Sequence, residues 1–228
     1  MTNNIIFLDI ETVPLDKELR LFSRPTKEDM KTGNIKDQEK IDAKFSAKLD
    51  EWDRGDGAAL HATQGKIVVA CSALGDSNVE HITDDEERIV KGVFDRIGSF
   101  GSSTIVGHYV RFDLSFLIRR ALILGIRFPE WLLVELNSYK PRFIIDTSTI
   151  WSLGDRSYHI SLKELAGAFG IISKDTTCSD GSIVTSREFY KYWAIDKEAC
   201  IKHCASDVEA CRQIVKKMAV AYPNILKQ

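Results

Sequence analysis

Two acids stand two residues apart in the run Phe7-Leu8-Asp9-Ile10-Glu11-Thr12. Along an extended strand successive side chains alternate between faces, so Asp9 and Glu11 point the same way. A pair of carboxylates on one strand face is a hard-oxygen site of the kind that Mg²⁺ or Mn²⁺ takes. Taken alone, the pair also reads as an ordinary strand running into an acidic turn. Asp113 follows Phe112 at the expected start of a helix, where an acid commonly caps or decorates the first turn. Asp207 lies in His203-Cys204-Ala205-Ser206-Asp207-Val208, beside the apolar stripe Val208, Cys211, Ile214 and Val215. An acid at the edge of a buried stripe calls for a partner, and His203, one helical turn earlier, shares its face.

These residues need elements to position them. Ile5–Ile10 is a short apolar run rich in β-formers and reads as a buried strand, closed by Val13-Pro14. Residues 26–54 are polar and charged in both signs, with Ile41, Phe45 and Leu49 repeating every four, which predicts a helical insertion or arm after the first strand. Gly55-Asp56-Gly57 closes it. Lys66–Ala73 and Asn78–Thr83 read as the next two strands. Acids from Asp84 to Glu87 open a helix to about Ser99. Thr104–Gly107 is a fourth strand, Phe112–Leu124 a helix and Arg142–Asp146 a fifth strand. Ser161 caps a short helix to Phe169, with Glu164 at capping-box spacing. A polar loop spans 171–185, and a long helix runs from about Lys197 to Val220. Strands that cluster first and then alternate with helices predict an α/β domain.

Composition sets bounds. The 228 residues suit one domain with an insertion, and the net charge of -2 excludes a global basic field for wrapping duplex DNA. Five cysteines, Cys71, Cys178, Cys200, Cys204 and Cys211, give an odd number without paired CxxC spacing. That pattern implies neither a disulfide framework nor a zinc ribbon, and points to reduced, buried thiols in a cytosol. No apolar run reaches the length of a membrane span, and the N-terminus lacks signal-peptide features.

The four acids occur in an order and context that resemble a known family. Phe7–Thr12 is similar to the first motif of the DEDD exonucleases, Val106–Asp113 to the second and His203–Val208 to the third. Asn34-Ile35-Lys36-Asp37, the Ala59–Val68 entry to the second strand, Ser161–Ala166 and Lys174–Ser182 resemble the PolB-related predicted exonucleases of bacteria and prophages. The likeness covers nearly the whole chain. It implies a ribonuclease H-like α/β fold, with a mixed five-stranded sheet flanked by helices and a helical insertion, in a single 3′-5′ exonuclease domain spanning 1–228.

The resemblance further implies metal-dependent release of nucleoside monophosphates from single-stranded 3′ ends, DNA ahead of RNA. Two ions, Mg²⁺ or Mn²⁺, would be bridged by Asp9 and completed by Glu11, Asp113 and Asp207. Two cations about 3.5–4 Å apart activate a water and steady the leaving oxygen in an in-line displacement. Thr12 and Val13 would lie beside the terminal nucleotide. Tyr109 and Phe112 are candidates for stacking, with core packing favoured for Phe112. His108, Arg111, Lys163 and Lys174 are candidate phosphate contacts or plain surface residues. Asp146 is a candidate support group or a helix cap. His61, His81 and His159 read as surface residues.

Two positions depart from the family pattern. Tyr109 stands where the second motif carries Asn. His203 stands where the tyrosine subclass of the third motif carries Tyr, while the position that the histidine subclass uses is Lys202 here. His203 is therefore the expected proton acceptor, with Lys202 as the alternative. A catalytically weakened single-strand-binding module of the same fold is the competing reading. The expected partner is a nucleic-acid 3′ end, with no membrane role.

Overall fold

A computed structural model describes residues 5–31, 33–83, 85–99, 103–155, 157–172 and 175–226. Asp84 and Lys174 lie outside them. The described residues divide into two units, Met1–Glu11 with Ile67–Gln228, and Thr12–Lys66.

The larger unit is built on a five-stranded sheet. Its strands are β1 (Ile5–Pro14, whose last three residues belong to the second unit), β2 (Gly65–Leu74), β3 (Glu80–Ile82), β4 (Thr104–Gly107) and β5 (Ile144–Asp146). Their order is β3-β2-β1-β4-β5. β4 runs parallel to both β1 and β5, with Phe7 opposite Val106 and Val106 opposite Ile145, whereas β2 and β3 are antiparallel. The sheet is therefore mixed, as expected. Its centre is buried on both faces, which is why Ile5–Leu8 reads as a continuous apolar run rather than an alternating one.

Helices flank the sheet. α2 (Glu86–Ser99) and α3 (Val110–Leu124) pack on each other and reach β3 and β5 respectively. α8 (Lys197–Ala221) contacts β3 and β4 and gathers α5 (Thr147–Ser152), α6 (Leu162–Ala168) and α7 (Phe189–Ile195) around it. α8 buries Cys200, Cys204, Val208, Cys211, Ile214 and Val215, the stripe read from the sequence with its helical continuation. α4 (Trp131–Asn137) packs on α3. This α/β architecture is consistent with the ribonuclease H-like class. Ser161 accepts from the Glu164 N–H as the capping spacing predicts, and Asp196 caps α8 through the Ala199 N–H at 3.0 Å. All five cysteines are free and buried. Among the described residues no helix is long and apolar enough to cross a membrane.

The second unit holds α1 (Gln38–Arg54), capped by Asp37 and closed by Gly55 in the left-handed conformation. The helix begins at Gln38, so the first part of the expected arm, 26–31 and 33–37, is not helical. Ile41, Phe45 and Leu49 are only half-buried, and the buried anchor is Trp52. The Trp52 indole donates to Ser23 Oγ at 3.0 Å. Arg20 is buried over the Trp52 ring and donates to the carbonyls of Leu15 and Trp52, both at 2.9 Å. A guanidinium supplies several donors in a fixed fork, so it tolerates burial where carbonyls meet it.

Candidate metal centre

Three elements of the larger unit supply the acids. Asp9 and Glu11 come from β1, Asp113 from the first turn of α3 and Asp207 from the middle of α8. The sequence reading placed the first pair at a strand end. β1 continues to Pro14, so both sit in its interior. Asp113 is buried, and its Oδ1 accepts the Ile10 N–H at 3.0 Å. That single bond ties α3 to the strand residue lying between Asp9 and Glu11. The approach depends on Gly107, where a Cβ would come within 2.9 Å of the Leu8 carbonyl oxygen and 2.7 Å of Val110.

The backbone turn that starts α3 is built at Tyr109, which adopts the left-handed conformation at φ 56°. Asp146 stabilises it by accepting the Tyr109 N–H at 3.0 Å, while the same oxygen accepts from Ser148 N–H and Oγ. Asp146 is thus both a helix cap for α5 and a support for the helix that carries Asp113. The Tyr109 hydroxyl accepts the Ile160 N–H at 3.2 Å, leaving its ring 38% exposed. Phe112 is 39% exposed, so the core packing expected of it is not what the fold uses it for. Tyr109 is the cap that precedes α3 and Phe112 lies in its first turn, so both exposed rings stand at the end of the helix that carries Asp113.

The carboxylates crowd one another. Burial pushes the Asp9 carboxyl well above its ordinary range, and Asp113, Glu11 and Asp207 push it further. Burial raises Glu11 as well, with Asp207 and then Asp113 adding to it. Burial raises Asp113 to about 8, against the opposing Ile10 N–H. Burial also raises Asp207, countered by His203. Desolvated like charges favour their protonated forms unless a cation compensates them.

Two observations show that compensation from the described residues is incomplete. Asp9 Oδ2 is buried with no hydrogen-bond partner. Glu11 is only 8% exposed, and among the described residues no hydrogen bond reaches its carboxylate. Buried polar atoms are almost always satisfied, so orphaned carboxylate oxygens in a cluster fit a divalent cation bound by hard oxygen donors. Ligand atoms of Glu11, His203 and Asp207 lie within 4.8 Å of one another, a grouping able to hold a metal ion. His203 Nε2 is 3.7 Å from Asp207 Oδ2, 4.0 Å from Glu11 Oε1 and 3.2 Å from Ser186 Oγ. Lys202, one residue earlier, is exposed and lies 3.9 Å from Glu198.

Other candidates fall elsewhere. Thr12 and Val13 belong to the second unit, where both are buried and the Thr12 hydroxyl donates to the Ala59 carbonyl at 2.7 Å. Of the expected phosphate contacts, the three among the described residues find partners inside the protein. His108 uses both ring nitrogens, on Thr147 Oγ1 and the Ile160 carbonyl, each at 2.9 Å, and burial lowers its pKa. Arg111 donates to the Leu136 carbonyl, and Lys163 pairs with Asp175 at 2.6 Å. His61, His81 and His159 are exposed, as expected. Ser186 was missed. It sits in a short 3-10 turn after a polar loop, 17 residues before His203, with no periodicity to relate the two.

No protein-family model matches the chain, and no curated protein matches it. Among solved structures it is similar to the family B DNA polymerase from the hyperthermophilic archaeon Pyrobaculum calidifontis, with a TM-score of 0.53 and 16% identity. The match covers 95% of this chain and 24% of the polymerase, so the chain spans about a quarter of that protein. At this identity the likeness is one of fold.

Proposed function

We propose that this chain is a metal-dependent 3′-5′ exonuclease of the DEDD type. It would remove nucleoside monophosphates from single-stranded 3′ ends, with DNA the favoured substrate. The observation that carries the reading is the convergence of Asp9, Glu11, Asp113 and Asp207 from three elements, with Asp9 Oδ2 buried and unpaired. The fold likeness to a protein named as a DNA polymerase supports a nucleic-acid substrate.

The four carboxylates would hold two divalent cations, Mg²⁺ or Mn²⁺. Bound there, such ions supply an acidified water and compensate charge on the leaving 3′ oxygen. The water oxygen gives up a proton and bonds to phosphorus, the bond from phosphorus to the 3′ oxygen breaks, and that oxygen takes a proton from solvent to leave as a 3′ hydroxyl. The protein's part is to hold the acids in register before substrate arrives. The Ile10–Asp113 hydrogen bond and the Asp146 support of Tyr109 do this through backbone contacts. Tyr109 and Phe112 offer aromatic faces to the terminal bases, a contact that tolerates any base because every base has a π-face.

Digestion of labelled single-stranded DNA and RNA tests the reading. Degradation should need Mg²⁺ or Mn²⁺, stop in excess EDTA and be abolished in Asp9→Ala while the circular dichroism spectrum is unchanged. Undiminished degradation in EDTA, or by Asp9→Ala, would refute it. Strand binding without cleavage in any metal would favour the binding-module reading.

A further inference from the structure

We infer that His203 is itself a metal ligand, so that the Glu11–His203–Asp207 edge is a mixed nitrogen and oxygen site selecting a first-row transition divalent ion over Mg²⁺. The inference rests on the metal-centre reading above and specifies which ion that centre takes. Three features of the structure carry it.

The first is placement. Glu11, His203 and Asp207 present ligand atoms that all lie within 4.8 Å of one another. His203 and Asp207 are four apart on α8, so the helix itself sets their spacing and a cation would close a one-turn chelate. Glu11 reaches the same spot from β1, nearly buried, and among the described residues no hydrogen bond reaches its carboxylate.

The second feature is that no other histidine has this arrangement. His61, His81 and His159 are exposed, and His108 spends both ring nitrogens on Thr147 and Ile160. His203 Nε2 instead faces two carboxylates and the hydroxyl of Ser186 at 3.2 Å. Ser186 is exposed on its short turn, and a hydroxyl rotor there can swing into solvent when the nitrogen binds an ion.

The third feature is ligand chemistry. Mg²⁺ is held by carboxylates, phosphates and waters and seldom takes a neutral nitrogen. Imidazole donors suit first-row transition ions, and geometry and ligand type decide between metals. An all-oxygen cluster would leave Mg²⁺ and Mn²⁺ close competitors. A ring nitrogen inserted between Glu11 and Asp207 shifts the balance toward Mn²⁺ and its neighbours in the series.

The test is direct metal binding, with catalysis measured separately. Wild-type protein loaded with Mn²⁺ should show a ¹⁴N hyperfine coupling in pulsed electron paramagnetic resonance, converting to the ¹⁵N pattern when histidine is ¹⁵N-labelled. His203→Gln should lose the coupling. Calorimetry should show its Mn²⁺ affinity falling at least about ten-fold, the lower end of the loss seen even for groups that only support ligands. Its Mg²⁺ affinity should change much less. Mn²⁺ bound by wild type without nitrogen coupling would overturn the inference, and this readout does not depend on any variant folding. An equal fall in Mg²⁺ and Mn²⁺ affinity in His203→Gln would overturn the selectivity. Nitrogen coupling in a protein that degrades no nucleic acid would uphold the ligand and refute the exonuclease reading.

Discussion

Glu11 and Glu86 are acids of the same unit with side chains equally shielded, each 10% exposed, yet their surroundings are opposite. Glu86 accepts the Ile67 N–H at 2.8 Å and two donors of Arg120 at 2.8 and 2.6 Å. Its charge is answered by a fixed guanidinium and a backbone amide. Among the described residues no hydrogen bond reaches the Glu11 carboxylate, and the basic atom paired with it is His203 Nε2 at 4.0 Å. Burial raises its pKa, and Asp207 and then Asp113 add to the shift. A carboxylate that serves the fold brings its cation in the sequence; one kept for a metal is left for a cation from solution. The first kind stabilises when intact, whereas the second costs stability until it is loaded.

The comparison can be broken most forcefully at the site. Asp113→Asn or Asp207→Asn should cut turnover by at least about 10²-fold, the lower end for loss of a single catalytic group. Asn at 113 keeps an oxygen for the Ile10 N–H, so the strand–helix tie survives. Turnover of either variant close to wild type would remove these acids from the reaction.

The opposite change falls on Arg120. Arg120→Met leaves Glu86 buried without its partner, which should cost about 3–5 kcal/mol. For a chain of this size each kcal/mol lowers Tm by about 2–4 °C. Thermal melts would show it, and activity per folded molecule should persist at a temperature where the variant remains folded.

The pH dependence of metal-free stability sharpens the contrast. Asp9, Glu11, Asp113 and Asp207 all have folded-state pKa values above their ordinary ones. Their contribution is full below the unfolded value, near 4, and is lost as pH rises through the folded value, about 8 for Asp113. In EDTA, melts of the wild type should therefore weaken from pH 5 to pH 8 relative to Asp9→Asn, which removes one charge of the cluster. Added Mn²⁺ at pH 8 should raise the wild-type Tm more than the variant's. A Tm difference between the two that is the same at both pH values would contradict the crowding of charges.

The exposed aromatic residues at the start of α3 come next. Tyr109→Ala and Phe112→Ala should each weaken single-strand binding by about 1–3 kcal/mol, the usual worth of one stacked base. Fluorescence anisotropy with a labelled strand in EDTA would measure it. In Tyr109→Ala the left-handed backbone is no easier for Ala, so Tyr109→Phe separates stacking from the hydroxyl's bond to Ile160 N–H. The smallest effect belongs to the second unit. Asp37→Ala removes the cap of α1 and should cost about 1 kcal/mol with turnover unchanged.

How much of this was legible beforehand follows the range of each interaction. The alternation placing Asp9 and Glu11 on one face, the Ser161 cap and the buried stripe of α8 are local patterns, and the fold uses them. α4, α5 and α7 were not foreseen, because helices of 6 or 7 residues carry too few turns to show a period. The Asp113–Ile10 bond spans 103 residues and the Arg120–Glu86 pair 34, and nothing in local spacing announces either. The ordered acids resembled a family, but the burial of Asp9 Oδ2 without a partner is visible only in three dimensions. Phe112 read as core because its sequence neighbours are; only packing shows it exposed.

The most direct measurement follows a 5′-labelled single strand over time with Mn²⁺, using wild type, Asp9→Asn and Arg120→Met side by side at a temperature where all three are folded. The account predicts a ladder shortening one nucleotide at a time from the 3′ end for wild type and Arg120→Met, and none for Asp9→Asn. A ladder from Asp9→Asn equal to wild type, or immediate release of the labelled 5′-terminal mononucleotide, would contradict it.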